Sequence, residues 1–439
     1  MIINNLFSKI NSLSNHPYYY LSPHSYAVGN CAEEIYLGLI KARYQGKKLV
    51  ILYMFDLPYI FKYKLTNKSL FSIESNYIYQ PNRYLLFIIR LLLTIIYIPL
   101  RVSTLIARGL FNIRLDEAYS YPCIGRDDLF LPGKIKDKPK ISSIVQYNWK
   151  EKFNYEFNFI IDGKSNIEIS NCIEKLGIPK VAWFVCLHVR ESGFRNDKGR
   201  REYRNSNIKN YIPAIKEIVS KGGWVVRMGD DSMTPLPEMK NVIDYPFTEY
   251  KSDFMDLFLI KNCHFFIGCQ SGIFDVAKLF SKPILLLNMY NWTFGGPLHT
   301  KDRGILKHIY SRKDNRYLSI KEMFSGGWEM QNTSGIVTDF VYVENSKEEI
   351  FDAVIEYLGD IENTLFLTSE IHTLSNSYRK EQAYSILKQN RLATEDVKSD
   401  MEELAERYRF LSQIEGASGY ICNKYLDNNW EHDSLNLAK

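Results

Sequence analysis

The sequence predicts an α/β fold of two domains built on parallel sheets, and three observations carry that expectation. From about residue 183 to residue 288, three segments appear in series: AWFVCLHVRESGF, GGWVVRMGDDS and CHFFIGCQSGIFDVAKLFSKPILLLN. Each is a short apolar strand that delivers polar, glycine-rich or cationic residues at its carboxyl end, where open α/β sheets bind ligands. Strand and helix patterns alternate there at a spacing of roughly 20 to 40 residues, the mark of βαβ units. At 439 residues the chain also exceeds the ~250 to 300 at which one core stops growing.

Composition narrows the classes. Apolar residues make up 46% and charged ones 24%, close to ordinary globular usage, which excludes large-scale disorder. A formal charge of +5, from 55 basic and 50 acidic residues, is too slight for nucleic acid without a focused patch. It suits an anionic ligand or membrane surface. The 31 Tyr and 25 Phe suit stacking on sugar faces as well as core packing. Cys31, Cys123, Cys172, Cys186, Cys263, Cys269 and Cys422 form no zinc-like spacing. With no signal-peptide pattern, a cytoplasmic protein with reduced, mostly buried cysteines is expected.

Along the chain, residues 1–150 read as an N-terminal α/β domain. Gly29 and Asn30 suggest a turn, either structural or phosphate-facing, before a helix over 31–44 and a buried strand over 48–53. Residues 83–114 form an apolar stretch in which Arg83, Arg90, Arg101 and Arg108 fall within about 20° of one another on a helical wheel. Arg90 and Arg101 break the ~18-residue apolar run of a transmembrane span. Two readings follow: a helix in a membrane interface, or an internal or dimer-interface helix. Pro99 is expected to kink or end it. Residues 122–158 read as a linker. Residues 151–345 read as the second α/β domain, with helices over 207–221, 254–261 and 273–280. Residues 346–439 read as mainly helical, with amphipathic pieces at 349–357, 378–389 and 396–413.

The chemistry-bearing residues cluster at the three strand ends. His188 and Arg190 are two apart, so both leave one face of an extended segment. Arg190 offers a planar fork for phosphate oxygens. His188 fits a base, a phosphate donor or a structural histidine. Gly229, Asp230 and Asp231 are placed either to bind ribose hydroxyls or simply to open a loop. Gln270, Ser271, Gly272 and Ile273 join a strand to a helix, with Ser271 as a candidate N-cap and the amides of Gly272, Ile273 and Phe274 facing an anion. Arg200, Arg201, Arg204 and Asn205 form either a second cationic contact or a solvated run. Asp230 and Asp231 are the only approach to a metal-binding acid motif, so neither metal nor cofactor is expected.

IGRDDLFLP, FVCLHVRESGF, YRNSNIKNYIPAI, WVVRMGDD and HFFIGCQSGIFDVAKLF resemble a family of bacterial glycosyltransferases associated with surface polysaccharides. More distantly, LHVR, VVRMGDD and FFIGCQSG are similar to the donor-binding motifs of the α1,6- and protein O-fucosyltransferase group. That resemblance implies a GT-B fold of two Rossmann-like domains, metal-independent inverting transfer, and a nucleotide-sugar donor such as a GDP-sugar. It implies Arg190 on the β-phosphate, His188 on the donor, Asp230 or Asp231 on the nucleoside, and Ser271 with Gly272 on the diphosphate. Gly193 stands where the fucosyltransferases carry an acid.

The expected activity is sugar transfer to a bacterial surface glycan, O-antigen or capsule, free or lipid-linked, at the inner face of the cytoplasmic membrane, with peripheral contact through 83–114. His24, Glu33 and Asp56 are candidate acceptor-side bases. A nucleotide-sugar 2-epimerase-like enzyme and a non-catalytic sugar-nucleotide or glycan-binding subunit are the alternatives.

Overall fold

The computed structural model describes residues 2–57, 64–113, 121–126, 157–161, 173–193, 202–290, 299, 301–325, 339–360 and 419–430. The expected helices over 378–389 and 396–413, Arg200, Arg201, Cys172 and most of the 122–158 segment lie outside these residues. The chain divides into two compact units. One comprises residues 1–166, 253–258 and 278–280, the other residues 167–252, 259–277 and 281–439.

In the first unit α1 (Ile2–Ser12) is followed by β1 (Tyr18–Leu21), α2 (Val28–Tyr44) and β2 (Lys48–Ile51). β1 and β2 pair in parallel, with α2 as the crossover. Buried Cys31, Ile35, Leu39 and Ala42 are the side chains whose spacing marks the helix in the sequence. The expected turn at Gly29 and Asn30 is not there. Ala27 is the N-cap, with φ −137° and ψ 116°, and both residues lie in the first helical turn. Gly29 is buried there and Asn30 exposed, and their low helix propensity costs little at the first turn of a 17-residue helix. β2 stops at Ile51 instead of Tyr53, because β1 ends opposite it at Leu21. A short antiparallel pair joins β3 (Ile73–Glu74) to β4 (Ile160–Ile161).

α3 (Arg83–Phe111) is one helix of 29 residues that does not end at Pro99 and closes on Asn112 in the left-handed conformation. Its N-cap is Asn82, whose side chain accepts from Leu85 N.

The second unit carries a sheet of seven strands: β5 (Phe184–His188), β6 (Trp224–Arg227), β7 (Val242–Asp244), β8 (Phe266–Gly268), β9 (Ile284–Met289), β10 (Arg303–Leu306) and β14 (Tyr420–Ile421). Every pairing in it is parallel. The α/β fold with a large parallel sheet is therefore the architecture. Its order is β14-β10-β9-β8-β5-β6-β7. Renumbered from β5 to β10 in chain order, six of its strands run 3-2-1-4-5-6, the order of dinucleotide-binding sheets. β5, β8 and β9 are buried along their whole length, which is why they read as unbroken apolar runs rather than alternating ones.

Helices return the chain between these strands. α4 (Ile212–Ser220) follows a 3-10 turn at Ile208–Tyr211, so the helix expected over 207–221 is two elements, with Pro213 in the first turn of the second. α5 (Asp253–Asn262) and α6 (Phe274–Leu279) flank β8. After β10 come the antiparallel strands β11 (His308–Ser311), β12 (Arg316–Tyr317) and β13 (Phe340–Val343), in the order β12-β11-β13. α7 (Ile320–Ser325), α8 (Lys347–Asp360) and α9 (Asn423–Asn429) complete the unit. Ser346 and Glu349 form a reciprocal capping box at the start of α8, with bonds of 2.8 and 3.1 Å.

Asn288 at the end of β9 and Asn345 before α8 clasp one another. Each backbone N–H donates to the other's Oδ1, at 2.8 and 2.7 Å. Asn345 Nδ2 also donates to Leu306 O at 2.7 Å, and Asn288 Nδ2 to Tyr211 Oη at 3.0 Å. Both asparagines are almost fully buried. Replacing Asn345 by Ala leaves the Asn288 N–H without its acceptor, an expected loss of about 2 kcal/mol in a urea titration. An unchanged midpoint would show that the clasp does not bear on stability.

Candidate functional site

The three segments singled out in the sequence emerge on adjacent strands. β8, β5 and β6 are neighbours, and the register aligns His188 with Gly268 and Leu187 with Arg227. The chain turns one way from β5 through β6 to β7 and the other way at β8, so β5 and β8 flank the switch point where such sheets open a crevice. His188 and Arg190, Gly229 to Asp231, and Gln270 to Ile273 all follow the carboxyl ends of these strands. One sheet edge therefore gathers every residue singled out at the three strand ends.

Arg190 leaves β5 beside the β8 loop. Its backbone N–H donates to Cys269 Sγ at 3.1 Å and its carbonyl accepts from Ser206 N at 3.0 Å. Its guanidinium donates to the Asn205 side-chain carbonyl. Lys307, just past β10, donates from Nζ to Asn205 O at 2.6 Å. Arg204 donates to Gln270 O at 2.8 Å and lies over the Tyr290 ring at 5.1 Å. Gln270 Oε1 accepts from Tyr290 N at 2.9 Å. Asn205 thus joins two cations, one through each of its oxygens, and Arg204 comes from the adjoining residue. Burial pulls the Lys307 ammonium below its ordinary pKa, with Glu344 opposing. Three cations gathered at one strand-end edge suit a polyanion such as a diphosphate.

The β8 loop differs in detail from expectation. α6 begins at Phe274 and has six residues. Ser271 is not its side-chain cap: its carbonyl accepts from Phe274 N at 3.2 Å, while Oγ is buried with no hydrogen-bond partner among the described residues. A buried hydroxyl so placed can serve an incoming oxygen. Burial pushes the neighbouring Cys269 thiol up, so it stays protonated.

His188 is buried at 8% exposure. Its Nδ1 donates to Met228 O at 3.0 Å, which leaves Nε2 as the acceptor nitrogen. Burial, then the charges of Arg227 and Arg190, hold its pKa down at about 4, against the favourable Met228 bond and Asp230. At neutral pH it is an uncharged imidazole and gives a phosphate no positive charge.

The β6 loop is fixed by a buried ion cluster that the sequence reading missed. Arg227 is fully buried. Its guanidinium meets Glu191 at 2.8 Å and Asp244 at 3.1 Å, and donates to Thr234 O at 2.6 Å. Glu191 also accepts from Thr234 N and Oγ1, at 2.9 and 2.8 Å. The only sequence signal was an arginine inside an apolar strand, which burial permits when it is paired. Gly193 follows from the same packing. A Cβ there would stand 2.7 Å from Ser232 O, so any side chain at this position requires the backbone at Ser232 or at the glycine to shift. Gly229 has φ 154°, and a Cβ on it would strike Met233. Asp230 accepts from Ser232 N at 3.0 Å and from Ser232 Oγ, while Asp231 is exposed.

In the first unit the candidate bases are all engaged. His24 N donates to buried Glu34 at 2.7 Å, and Arg126 Nη2 lies 3.1 Å from His24 Nδ1. An arginine has only donors, so His24 keeps its proton on Nε2. Arg126 pairs with Glu34 at 3.0 Å. Glu33 pairs with Lys278 at 3.2 Å, and Asp56 with Lys68 at 3.1 Å.

No family model matches this chain, and no curated protein matches it. Three solved structures show low similarity. They are the Escherichia coli ADP-heptose LPS heptosyltransferase II (14% identity, 65% of this chain and 89% of that chain, TM-score 0.34), the dodecameric iron-containing heptosyltransferase TibC in complex with ADP-D-β-D-heptose (13%, 53% and 48%, 0.21) and the spinosyn forosaminyltransferase SpnP (10%, 92% and 80%, 0.24). At these values the likenesses carry no weight for the site or the reaction.

Two outcomes follow from the geometry. Because His188 titrates near 4 when folded and near 6.5 when unfolded, protonation favours unfolding. Its stabilising contribution is full above pH 6.5 and is lost as pH falls towards 4, about 3 kcal/mol in all. His188→Asn should flatten the fall in unfolding free energy over that window relative to the native chain; parallel curves would refute it. Arg227→Met strands two carboxylates and should cost about 3 to 5 kcal/mol in the same measurement, whereas a loss under 1 kcal/mol would mean that the cluster is not coupled to folding.

Proposed function

We propose that this chain is a metal-independent, inverting GT-B glycosyltransferase that moves a sugar from a nucleotide-sugar donor to a bacterial surface glycan. The observation that carries this reading is the cation set at the switch point: Arg190, Arg204 and Lys307 converge around Asn205 at the edge where Ser271 keeps a buried, unpartnered hydroxyl. The resemblance of the three strand-end segments to nucleotide-sugar motifs supports it independently.

In the reaction the acceptor hydroxyl oxygen forms a bond to the anomeric carbon while that carbon's bond to the diphosphate breaks. The electron pair goes to the β-phosphate oxygen and the hydroxyl proton to a base. Charge thus grows on the diphosphate, and cations fixed beforehand stabilise that growth without rearranging. Arg190 takes the β-phosphate by its planar fork, with Lys307 and Ser271 Oγ completing the cradle. His188, neutral with Nε2 open as an acceptor, receives a donor hydroxyl rather than a phosphate. Asp231, exposed beside the Asp230 turn, meets the ribose. Gly193 replaces the acid of the fucosyltransferase pattern and packs against Ser232, so a sugar other than fucose is favoured.

A panel of ADP, GDP, UDP, CMP and dTDP tests the donor site. At about a hundredfold excess over Kd, the matching nucleotide should raise stability by about 3 kcal/mol. Arg190→Ala should weaken that nucleotide at least tenfold and abolish transfer. No shift with any nucleotide would overturn the reading, and a shift without turnover on any glycan acceptor would favour a binding subunit.

A further inference from the structure

α3 turns its charged face inward and its apolar face outward. Arg90 lies over the rings of Tyr53 and Phe55, at 4.5 and 4.0 Å, and Arg101 over that of Tyr121 at 4.6 Å. Between them Thr94 Oγ1 accepts from Phe55 N at 3.2 Å and Tyr97 Oη donates to Asn4 at 3.0 Å. Leu93, Thr94 and Tyr97 are the helix's buried residues. All lie on the arginine side of the wheel. Opposite them, Tyr84, Ile88, Leu92, Ile95, Ile106 and Leu110 are among a row of side chains 37 to 76% exposed. More than half of the large apolar side chains exposed among the described residues sit on this one helix. In its most apolar window, of mean hydropathy 2.2, only 17% of residues are buried.

We propose that this face lies in the surface of an anionic lipid bilayer, with α3 parallel to the membrane plane. Three features favour lipid over a second copy or another protein. First, along the outward half of the helix the mid-face hydroxyl, Ser103, is satisfied internally by donating to Leu100 O at 2.8 Å, and the other, Tyr84, stands at the helix end, where a phenol meets headgroups. Protein interfaces carry roughly one hydrogen bond per 100 to 200 Å² and a polar rim, whereas a hydrocarbon boundary requires polar groups satisfied internally. Second, the face is a strip about 43 Å long and about 10 Å wide, roughly half of the ~800 Å² per partner in a stable complex. Third, the segment contains no acid and no lysine, and exposed Arg83 and Arg108 stand at its two ends on the arginine side of the wheel, the level at which headgroup phosphates meet a helix whose apolar face is sunk in the bilayer. Tyr84 and Phe111, exposed at the ends, suit the aromatic preference of the interface. Arg90 and Arg101, the charges that break the apolar run in the sequence, face away from the lipid.

The proposal stands apart from the glycosyltransferase reading, and its test uses no nucleotide. The full chain is floated through a density gradient with vesicles of phosphatidylcholine alone or mixed with phosphatidylglycerol. It should rise with the mixed vesicles, and less with the neutral ones or in high salt. The Ile88→Glu/Leu92→Glu/Ile95→Glu variant changes exposed positions only; with an unchanged circular dichroism spectrum, it should bind at least tenfold less. Arg83→Glu/Arg108→Glu should lose the preference for phosphatidylglycerol. A native chain that stays at the bottom of the gradient, or a triple variant that floats equally well, would overturn the proposal. So would a lipid-free dimer, seen by light scattering, that the triple variant dissolves.

Discussion

The buried guanidinium of Arg227 is the constraint on which the candidate site depends. It sits at the end of β6 with no exposure and bridges Glu191 after β5 to Asp244 at the end of β7. Three adjacent parallel strands are thereby tied at their carboxyl ends, and the loop carrying Gly229 to Asp231 is fastened through Thr234. A charge taken out of water is tolerated only where such partners surround it. The same packing brings Ser232 against Gly193, so the identity of that glycine follows from the cluster.

Electrostatics at this edge divides the labour among neighbouring residues. Arg190 and Lys307 meet at the two oxygens of Asn205, and Arg204 holds Gln270 O beside them, so positive charge is concentrated at this edge. Burial first, and then the charges of Arg227 and Arg190, keep His188 uncharged. A further cationic group there would raise repulsion without adding reach, and the neutral imidazole instead presents an oriented acceptor.

How much could be read in advance depended on the range of the determining forces. β5, β6, β8 and β9 were legible because strands buried on both faces are continuous apolar runs, and the strand-end residues followed from their position beyond those runs. Lys307 was invisible, since it joins the others only because β10 takes its place in the sheet far from β5 in sequence. Ser271 looked like a cap, yet the helix starts three residues later and its hydroxyl is buried and unpartnered. Gly29 and Asn30 looked like a turn, yet α2 starts ahead of them at Val28.

By itself the sequence determined the element types, the parallel α/β class and the arginine stripe of residues 83–114, because periodicity and burial on both faces are written residue by residue. Only the tertiary structure decided the strand order, the meeting of Arg190 with Lys307 at Asn205, and the side of α3 that faces the protein. The physical reason is that a helical wheel fixes which residues share a face but not what that face meets. Aromatic rings at Tyr53, Phe55 and Tyr121 settled it by stacking on arginines, which left the apolar side to the outside.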